Sequence, residues 1–335
     1  MKHPGLSIIN TLIVLTVLSS CSCNQDRQNN CGISDKRQEL PGSETAVPEE
    51  IAYDCTVSVD ASSFVSEDYI GNGVQWDPYE VSDISDADWQ KLYSRLDFMK
   101  PQFIRMMHNI GEKTENGVLI KEAGLEHLMH LLDYCQSRNI TVMFGDWGGS
   151  IADPEKGTIN ETLLRNIAVY LDFLINSKGY DCIKYYNLIN EPNGYWSQTK
   201  GDYTLWSRAV KFFWEEARKL GLNKKIKMAA PDVAIWTAEE TFWVSNTVRD
   251  FPEITGIYDI HTYPSKITVN SGQYTEIIKA YKDASAPGSK IVMGEIGFKY
   301  QEPEDACYQA ENLKRAGSLA HASTEDSQMF VYDYM

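Results

Sequence analysis

From Tyr69 onward, the sequence alternates short apolar runs with longer segments of helical spacing. The runs lie near residues 70–76, 102–106, 140–145, 183–189, 226–230, 257–262, 290–295 and 328–334. The helical segments lie near 86–99, 122–138, 160–177, 203–220, 238–249, 274–284 and 304–322. This alternation indicates parallel strands joined by crossover helices. Since a barrel of eight such units takes about 250 residues, residues 66–335 are predicted to form one α/β domain, a (β/α)8 TIM barrel.

Three segments precede the predicted barrel. Residues 1–20 carry a short positive start and then an apolar run, 6–18, that is too short to span a bilayer comfortably, which predicts an export signal. Residues 21–50 are polar and predict a flexible tether. Residues 51–65 contain one alternating stretch near Val57, which predicts a strand that caps the barrel or joins an accessory sheet.

The export signal ends in Leu18-Ser19-Ser20-Cys21, which resembles the cleavage box of bacterial lipoproteins. The resemblance implies that Cys21 is lipidated and becomes the new N-terminus. The protein would then be exported to the bacterial cell envelope and anchored to a membrane, at the outer membrane or cell surface, without spanning it. A plain secretory signal with a coincidental cysteine is the alternative.

Two glutamates each follow an apolar run of the kind that a buried parallel strand requires. Glu191 lies in Leu188-Ile189-Asn190-Glu191-Pro192-Asn193, and Glu295 lies in Val292-Met293-Gly294-Glu295-Ile296. Strand ends of this kind open onto the face of a barrel where chemistry is done. Two carboxyl groups across one pocket are the equipment for cleaving a glycosidic bond, so a carbohydrate is the expected partner. The alternative is that each glutamate only caps the following helix.

Asn190-Glu191-Pro192 and Gly294-Glu295 resemble the signatures of glycoside hydrolase clan A, with a form similar to its families five and thirty-nine. The clan comprises retaining glycosidases on a (β/α)8 barrel. The resemblance implies that Glu191 is the acid/base, that Glu295 is the nucleophile, and that Asn190 bonds the sugar 2-hydroxyl. It covers roughly residues 66–334.

Strand six also resembles the clan, in the element His261-Thr262-Tyr263. The resemblance implies that Tyr263 donates to the nucleophile and that His261 lies near the acid/base. Arg105 lies within an apolar run and requires a partner carboxylate if it is buried. The clan implies that this partner is Glu295, and a purely structural ion pair is the alternative.

Aromatic and polar residues at the predicted strand ends suit sugar rings and their hydroxyls, and Trp147 and Asn109 are the best candidates for substrate contacts. The net charge of −16 argues against a nucleic-acid partner. The seven cysteines contain no CxxC pair and suggest no metal site. The double displacement that the resemblance implies is expected to use neither a metal nor an organic cofactor.

Two further readings differ in function class. One is a catalytically silent carbohydrate-binding surface lipoprotein on the same barrel. The other, a barrel aldolase, would need a differently placed lysine or metal set. The sequence reaches Met335 directly after predicted strand eight, without a final helix and without the tryptophan typical of the clan there. An uncovered apolar surface and low stability of the isolated chain are the resulting expectations.

Overall fold

The computed structural model describes residue 62, residues 69–77 and 84–297, and the backbone of 328–332. The chain divides into two units, Met1–Val65 and Ser66–Met335. The predicted signal, tether and N-terminal strand lie outside the described residues apart from residue 62, as does the helix predicted at 304–322. The missing final helix therefore stays a prediction.

Eight parallel strands form one closed sheet. They are β1 (Gly71–Gln75), β2 (Phe103–His108), β3 (Thr141–Asp146), β4 (Ile183–Asn187), β5 in two segments (Lys227–Ala229 and Val233–Ile235), β6 (Thr255–Thr262), β7 (Ile291–Ile296) and β8 (Gln328–Tyr332). β8 pairs with β7 on one side and with β1 on the other, which closes the ring. The predicted (β/α)8 barrel is confirmed.

Helices cover the outside of the sheet. They are α1 (Asp86–Met99), α2 (Leu125–Ser137), α3 (Glu161–Asp172), α4 (Tyr203–Lys219), α5 (Phe242–Asp250), α6 (Lys266–Asn270) and α7 (Gln273–Ala284). α1 begins where predicted because Ser85 caps it, accepting a hydrogen bond from the Asp88 amide. Two short hairpins, 114–119 and 152–159, and the short helix α6 were not predicted. Among the described residues, no helix combines the length and hydrophobicity needed to cross a bilayer.

An apolar layer fills the interior of the barrel below its open end. It consists of Phe103, Met143, Ala229, Ile257 and Val292, all buried, from five different strands. Because side chains alternate along a strand, residues two or four positions further on share the same face. Arg105 therefore stands directly above Phe103, and His261 stands above Ile257. Arg105 and His261 therefore lie directly above an apolar layer that fills the barrel interior.

Strand five is broken at Pro231, which cannot donate to a ladder. Within the described sheet, its second segment pairs only with β6. On its other side, Asn193 takes the place of a strand: its side-chain amide donates to the Ala234 carbonyl at 2.7 Å and accepts from the Ala234 amide at 3.0 Å. Asn193 thereby ties the loop after β4 to β5.

We predict that Asn193→Ala lowers the free energy of unfolding by about 1–3 kcal/mol, because a buried backbone donor and acceptor lose their partners. Asn176→Ala is the matched control. Within the described residues, the exposed Asn176 side chain donates one hydrogen bond, to Asp172, and its loss should change stability by less than about 0.5 kcal/mol. Urea denaturation followed by fluorescence measures both. Equal midpoints for the two variants would contradict the role given to Asn193.

Candidate active site

The polar side chains predicted for the site converge at the carboxyl end of the barrel. Arg105 comes from β2, and Asn190 and Glu191 come from the loop after β4. His261 lies near the end of β6, and Glu295 lies within β7. Their atoms are within hydrogen-bond distance of one another, as described below, although up to 190 positions separate them along the chain.

Glu295 is buried and held by three groups. Arg105 Nη1 donates to its Oε1 at 2.7 Å, Tyr263 Oη donates to its Oε2 at 2.7 Å, and His261 Nδ1 lies 3.5 Å from Oε1. Burial opposes ionisation of this carboxyl. The charges of His261 and Arg105 and the tyrosine bond outweigh burial, and they lower the pKa of Glu295 below its ordinary value. Glu295 is therefore an ionised carboxylate at neutral pH.

Glu191 has a different environment. Trp196 Nε1 donates to its Oε2 at 2.8 Å, and His261 Nδ1 lies 3.1 Å from its Oε1. The backbone of Glu191 is left-handed, with φ of 43°, directly before Pro192. A side chain is rarely tolerated in this conformation, and such strain persists only where the surroundings enforce it. The Glu191 amide is fixed by Asp232 Oδ2 at 3.2 Å.

The two glutamates face each other across a short gap. One carboxylate oxygen of each, together with Nδ1 of His261, forms a set of atoms that all lie within 4.8 Å of one another. A separation near 5–5.5 Å is typical of a pair in which one carboxylate attacks a sugar directly, whereas about 6.5–9.5 Å leaves room for a water. The geometry therefore suits direct attack by one of the two.

Arg105 is the centre of the cluster and is wholly buried. Besides Glu295, its guanidinium donates to Gln75 Oε1 at 2.6 Å and to Asn190 Oδ1 at 2.7 Å, and it lies 3.6 Å from Asp232. Burial disfavours the charged form, but the surrounding carboxylates raise the pKa of Arg105 further above its ordinary value. Asn190 is thus held by the same group that holds Glu295.

Trp147 lies next to this centre, with its ring 5.8 Å from the Arg105 guanidinium carbon. The preceding residue, Asp146, fixes the loop: it accepts from the Ile110 amide at 2.8 Å and from the Gly148 amide at 2.7 Å. Burial raises the pKa of Asp146 to about 7, although the two amides act in the opposite direction. Trp147 therefore stands where a bound sugar could contact it.

The structure places Asn109 differently. Its side chain accepts from the Gly111 amide and donates to Glu112, both at 3.1 Å, so its carboxamide is used by the local turn. It lines a groove of about 650 Å³ beside the site rather than the cluster around Arg105. The proposed substrate contact of Asn109 would require this turn to open.

A larger groove of about 880 Å³ begins at Trp196, beside Glu191. It shares Ser150, Asn160 and Thr162 with the groove at Asn109, so the two are continuous. Trp196 is half exposed and packs edge-on against two other exposed aromatic rings, Tyr195 at 4.9 Å and Trp236 at 5.8 Å. An aromatic surface of this kind suits the C–H faces of sugar rings.

Sequence reasoning missed two buried aspartates. Asp232 bonds His261 Nε2 at 3.1 Å, and Asp259 accepts from the Gly294 amide at 2.8 Å. Asp232 follows the proline that breaks β5, and this break was the available signal. Asp259 lies two residues before His261, so strand alternation puts both on the interior face. The bond from Trp196 to Glu191 was not predicted either.

Two sets of side chains lie close enough to share a cation: Glu191 with His261 and Glu295, and Asp232 with Asp259 and His261. Both sets surround Arg105, which is in salt-bridge contact with Glu295 and Asp232. A fixed guanidinium at this position repels a metal ion and already supplies the charge that the carboxylates require. The donor set suits an arginine-balanced cluster better than a metal centre.

Comparison with known proteins gave a family and a set of structural relatives. The profile of the family described as "Cellulase (glycosyl hydrolase family 5)" matches residues 68–326. No curated protein matched significantly. A monomeric β-xylosidase from Caulobacter crescentus CB15 is 12% identical with a TM-score of 0.55, and the alignment covers 78% of this chain and 59% of that chain. The chain therefore spans less than two thirds of the xylosidase.

Two further structures are similar over most of their own length. A family 5 lichenase from Caldicellulosiruptor sp. F32 is 13% identical with a TM-score of 0.56, over 77% of this chain and 83% of that chain. PbGH5A, a family 5 enzyme from Prevotella bryantii B14, is 13% identical with a TM-score of 0.57, over 79% of this chain and 88% of that chain. Identities this low show the common fold.

The profile match takes in strands β1 to β7 and therefore both glutamates and their neighbours. It agrees with the resemblance to clan A and selects family five of the two families that the motifs resembled. The expectation of a glycosidase is confirmed at the level of the family. The chain belongs to glycosyl hydrolase family 5.

Proposed function

We propose that the protein hydrolyses O-glycosidic bonds of oligo- or polysaccharides by a retaining double displacement, with Glu295 as nucleophile and Glu191 as acid/base. One observation carries the proposal: the two carboxyl groups are within direct-attack distance but have unlike environments. Glu295 is buried and held ionised by Arg105 and Tyr263. Glu191 is at the rim, beside the groove.

In the first step, Glu295 Oε attacks the anomeric carbon and forms an ester bond to the sugar. The bond from the anomeric carbon to the leaving oxygen breaks, and the leaving oxygen takes its proton from Glu191. Arg105 and Tyr263 orient the attacking carboxylate without protonating it. Asn190, fixed by Arg105, is placed to bond the sugar 2-hydroxyl, a contact that strengthens in the transition state.

In the second step, Glu191 is a carboxylate and removes a proton from a water molecule. This water lies on the face of the sugar that the leaving group has vacated, opposite the ester bond to Glu295. The water oxygen attacks the anomeric carbon, and the ester bond to Glu295 breaks. The sugar leaves with its original anomeric configuration, and both glutamates return to their starting protonation. The sequence of steps uses no oxidant, reductant or metal.

The groove beside Trp196 supports a substrate of several sugar units. A cavity of about 880 Å³ that continues into a second of about 650 Å³ exceeds the room that one ring needs. Because the groove adjoins the proposed acid/base, it would hold the leaving part of the substrate. The xylosidase and lichenase relatives act on different sugars by name, so the proposal commits to the saccharide class only.

The rival proposal is a silent carbohydrate-binding protein. A binding protein needs aromatic surfaces and hydroxyl partners, which the groove offers. Binding alone does not require that Arg105 and Tyr263 hold Glu295 as an ionised carboxylate close to Glu191. This arrangement favours catalysis.

We predict that Glu295→Ala lowers kcat/KM at least about 10⁴-fold on every substrate, because no other group can form the glycosyl ester. Glu191→Ala should lose about 10²–10⁴-fold on natural saccharides, whose leaving group needs a proton, and much less on activated aryl glycosides. Sodium azide should accelerate Glu191→Ala on the aryl substrate, because azide attacks the ester without a general base.

The matched control is Glu215→Ala, which removes an exposed carboxylate from α4 and should leave activity unchanged. A panel of aryl glycosides and polysaccharides measured with purified protein provides the readout. Activity of Glu295→Ala within tenfold of wild type would overturn its assignment as nucleophile. Saccharide binding without any turnover by wild type would favour the silent binding protein.

We also propose that Cys21 carries lipid and anchors the protein in the bacterial envelope. The support is the Leu-Ser-Ser-Cys sequence after a short apolar run. We predict that Cys21→Ser moves the protein from the membrane fraction to the soluble fraction of the expressing bacterium, as detected by immunoblot. Cys23→Ser is the matched control two residues away and should stay with the membrane. An unchanged membrane fraction for Cys21→Ser would exclude this anchor.

A further inference from the structure

His261 lies between both proposed catalytic carboxyls and two aspartates that the proposed reaction does not use. Its Nδ1 faces Glu191 Oε1 at 3.1 Å and Glu295 Oε1 at 3.5 Å. Its Nε2 faces Asp232 Oδ1 at 3.1 Å and Asp259 Oδ1 at 3.9 Å. Ionised Glu295 on the Nδ1 side and a carboxylate on the Nε2 side can only accept, so both ring nitrogens must carry a proton to bond them.

The two aspartates are wholly buried and close to each other. Asp232, Asp259 and His261 each contribute an atom to a set that lies within 4.8 Å. Their carboxylate oxygens therefore lie within 4.8 Å of each other, on the same side of the His261 ring. Like charges at such a distance cannot both ionise in a dry interior.

The surroundings decide which aspartate holds the proton. Asp232 accepts from His261 and from the Glu191 amide and lies 3.6 Å from Arg105. Asp259 accepts from the Gly294 amide, and within the described part of the chain its Oδ2 has no hydrogen-bond partner. The ionised form thus belongs to Asp232 and the protonated form to Asp259.

The electrostatics agree with this division. Burial opposes charge on Asp232, but His261 and Arg105 lower the pKa of Asp232 well below its ordinary value. Burial and then the charge of Asp232 raise the pKa of Asp259 well above its ordinary value. Burial opposes the imidazolium, yet Asp232 and Glu295 raise the pKa of His261 well above its ordinary value.

We propose that Asp232 and Asp259 share a single proton and together hold His261 as a permanent imidazolium between the two catalytic glutamates. The two aspartates are positioning residues for the proposed glycosidase reaction, and this inference rests on that proposal. Through His261 they keep Glu295 ionised. Through the amides of Glu191 and Gly294 they also fix the backbone beside both glutamates.

The charges balance under this assignment. Among the described residues, the titratable groups facing the cluster are Arg105 from β2, Glu191 from the β4 loop, Asp232 from β5, Asp259 and His261 from β6, Tyr263 directly after β6, and Glu295 from β7. With Asp259 protonated, the cations of Arg105 and His261 face the carboxylates of Asp232 and Glu295. Asp77, after β1, also acts on Arg105 but accepts from the Met107 amide at 2.7 Å.

The close approach of Asp259 also accounts for glycine at position 294. A Cβ on this residue would lie 2.7 Å from Asp259 Oδ2. Only glycine lets the buried carboxyl pack against the backbone directly before Glu295. Asp259 therefore packs directly against the backbone of the strand that carries Glu295.

The first test compares the pH dependence of kcat/KM for the full chain and two variants. Asp259→Asn keeps a neutral side chain that can donate to Asp232, so its profile should keep the wild-type shape, with kcat/KM within about threefold. The double variant Asp232→Asn with Asp259→Asn leaves no carboxylate beside Nε2. His261 should then become neutral, and the acidic limb, set by Glu295, should move up by about one pH unit or more.

A role limited to holding the loops would lower kcat/KM at every pH without moving the acidic limb. A double variant with an unmoved limb would therefore overturn the proposal. So would an Asp259→Asn profile that shifts as far as that of the double variant, since Asp259 would then be an ionised partner.

The second test needs neither turnover nor a folded variant of the pair. Nitrogen-15 NMR of histidine-labelled wild-type protein follows its six imidazoles, with His261→Gln to assign the signal of His261. Both ring nitrogens of His261 should stay protonated from pH 6 to about pH 9, well above the ordinary histidine value of about 6.5. Titration of His261 near that ordinary value would overturn the proposal. A charged His261 in a protein without hydrolytic activity would instead overturn only the proposed function.

Discussion

The site depends on one buried positive charge. Arg105 is inaccessible to water at the mouth of the barrel, and an unpaired guanidinium there would cost several kcal/mol. Its partners come from four different strands or the loops that follow them: Gln75, Asn190, Asp232 and Glu295. Because a guanidinium has a rigid planar geometry, the positions of these side chains are fixed relative to one another. Arg105 holds both Glu295 and Asn190, the residue directly before Glu191, and so sets the distance between the two glutamates.

His261 is the second fixed element. Arg105 orients Glu295 from one side, and His261 lies between Glu295 and Glu191 on the other. The apolar layer below excludes water, which strengthens each of these interactions. Glu191 has a strained backbone because two contacts with β5 fix its loop. Asp232 accepts from the Glu191 amide, and Asn193 of the loop bonds Ala234 of β5. Local strain and long-range pairing therefore act together to place Glu191 at the rim.

The sequence predicted the barrel and its strand order because each strand and helix carries its own periodicity. α1 was predicted from its helical spacing at 86–99 and spans Asp86–Met99. The divided β5 was predicted as one strand at 226–230, because a run of three residues after a proline is too short to show alternation. The roles of five residues that gather beside Arg105 were predicted through family motifs: Asn190, Glu191, His261, Tyr263 and Glu295. The pairing of Asp232 with Asp259 connects β5 and β6 and leaves no trace in either strand alone.

The central claim is that Glu295 attacks the sugar directly. Proton NMR of the product formed in the first minutes of hydrolysis tests this claim, since the anomeric proton reports configuration before mutarotation mixes the two forms. The account predicts that the first product has the same anomeric configuration as the bond that was cleaved. Initial formation of the opposite anomer would show that water attacks the substrate in a single step, and it would contradict the account.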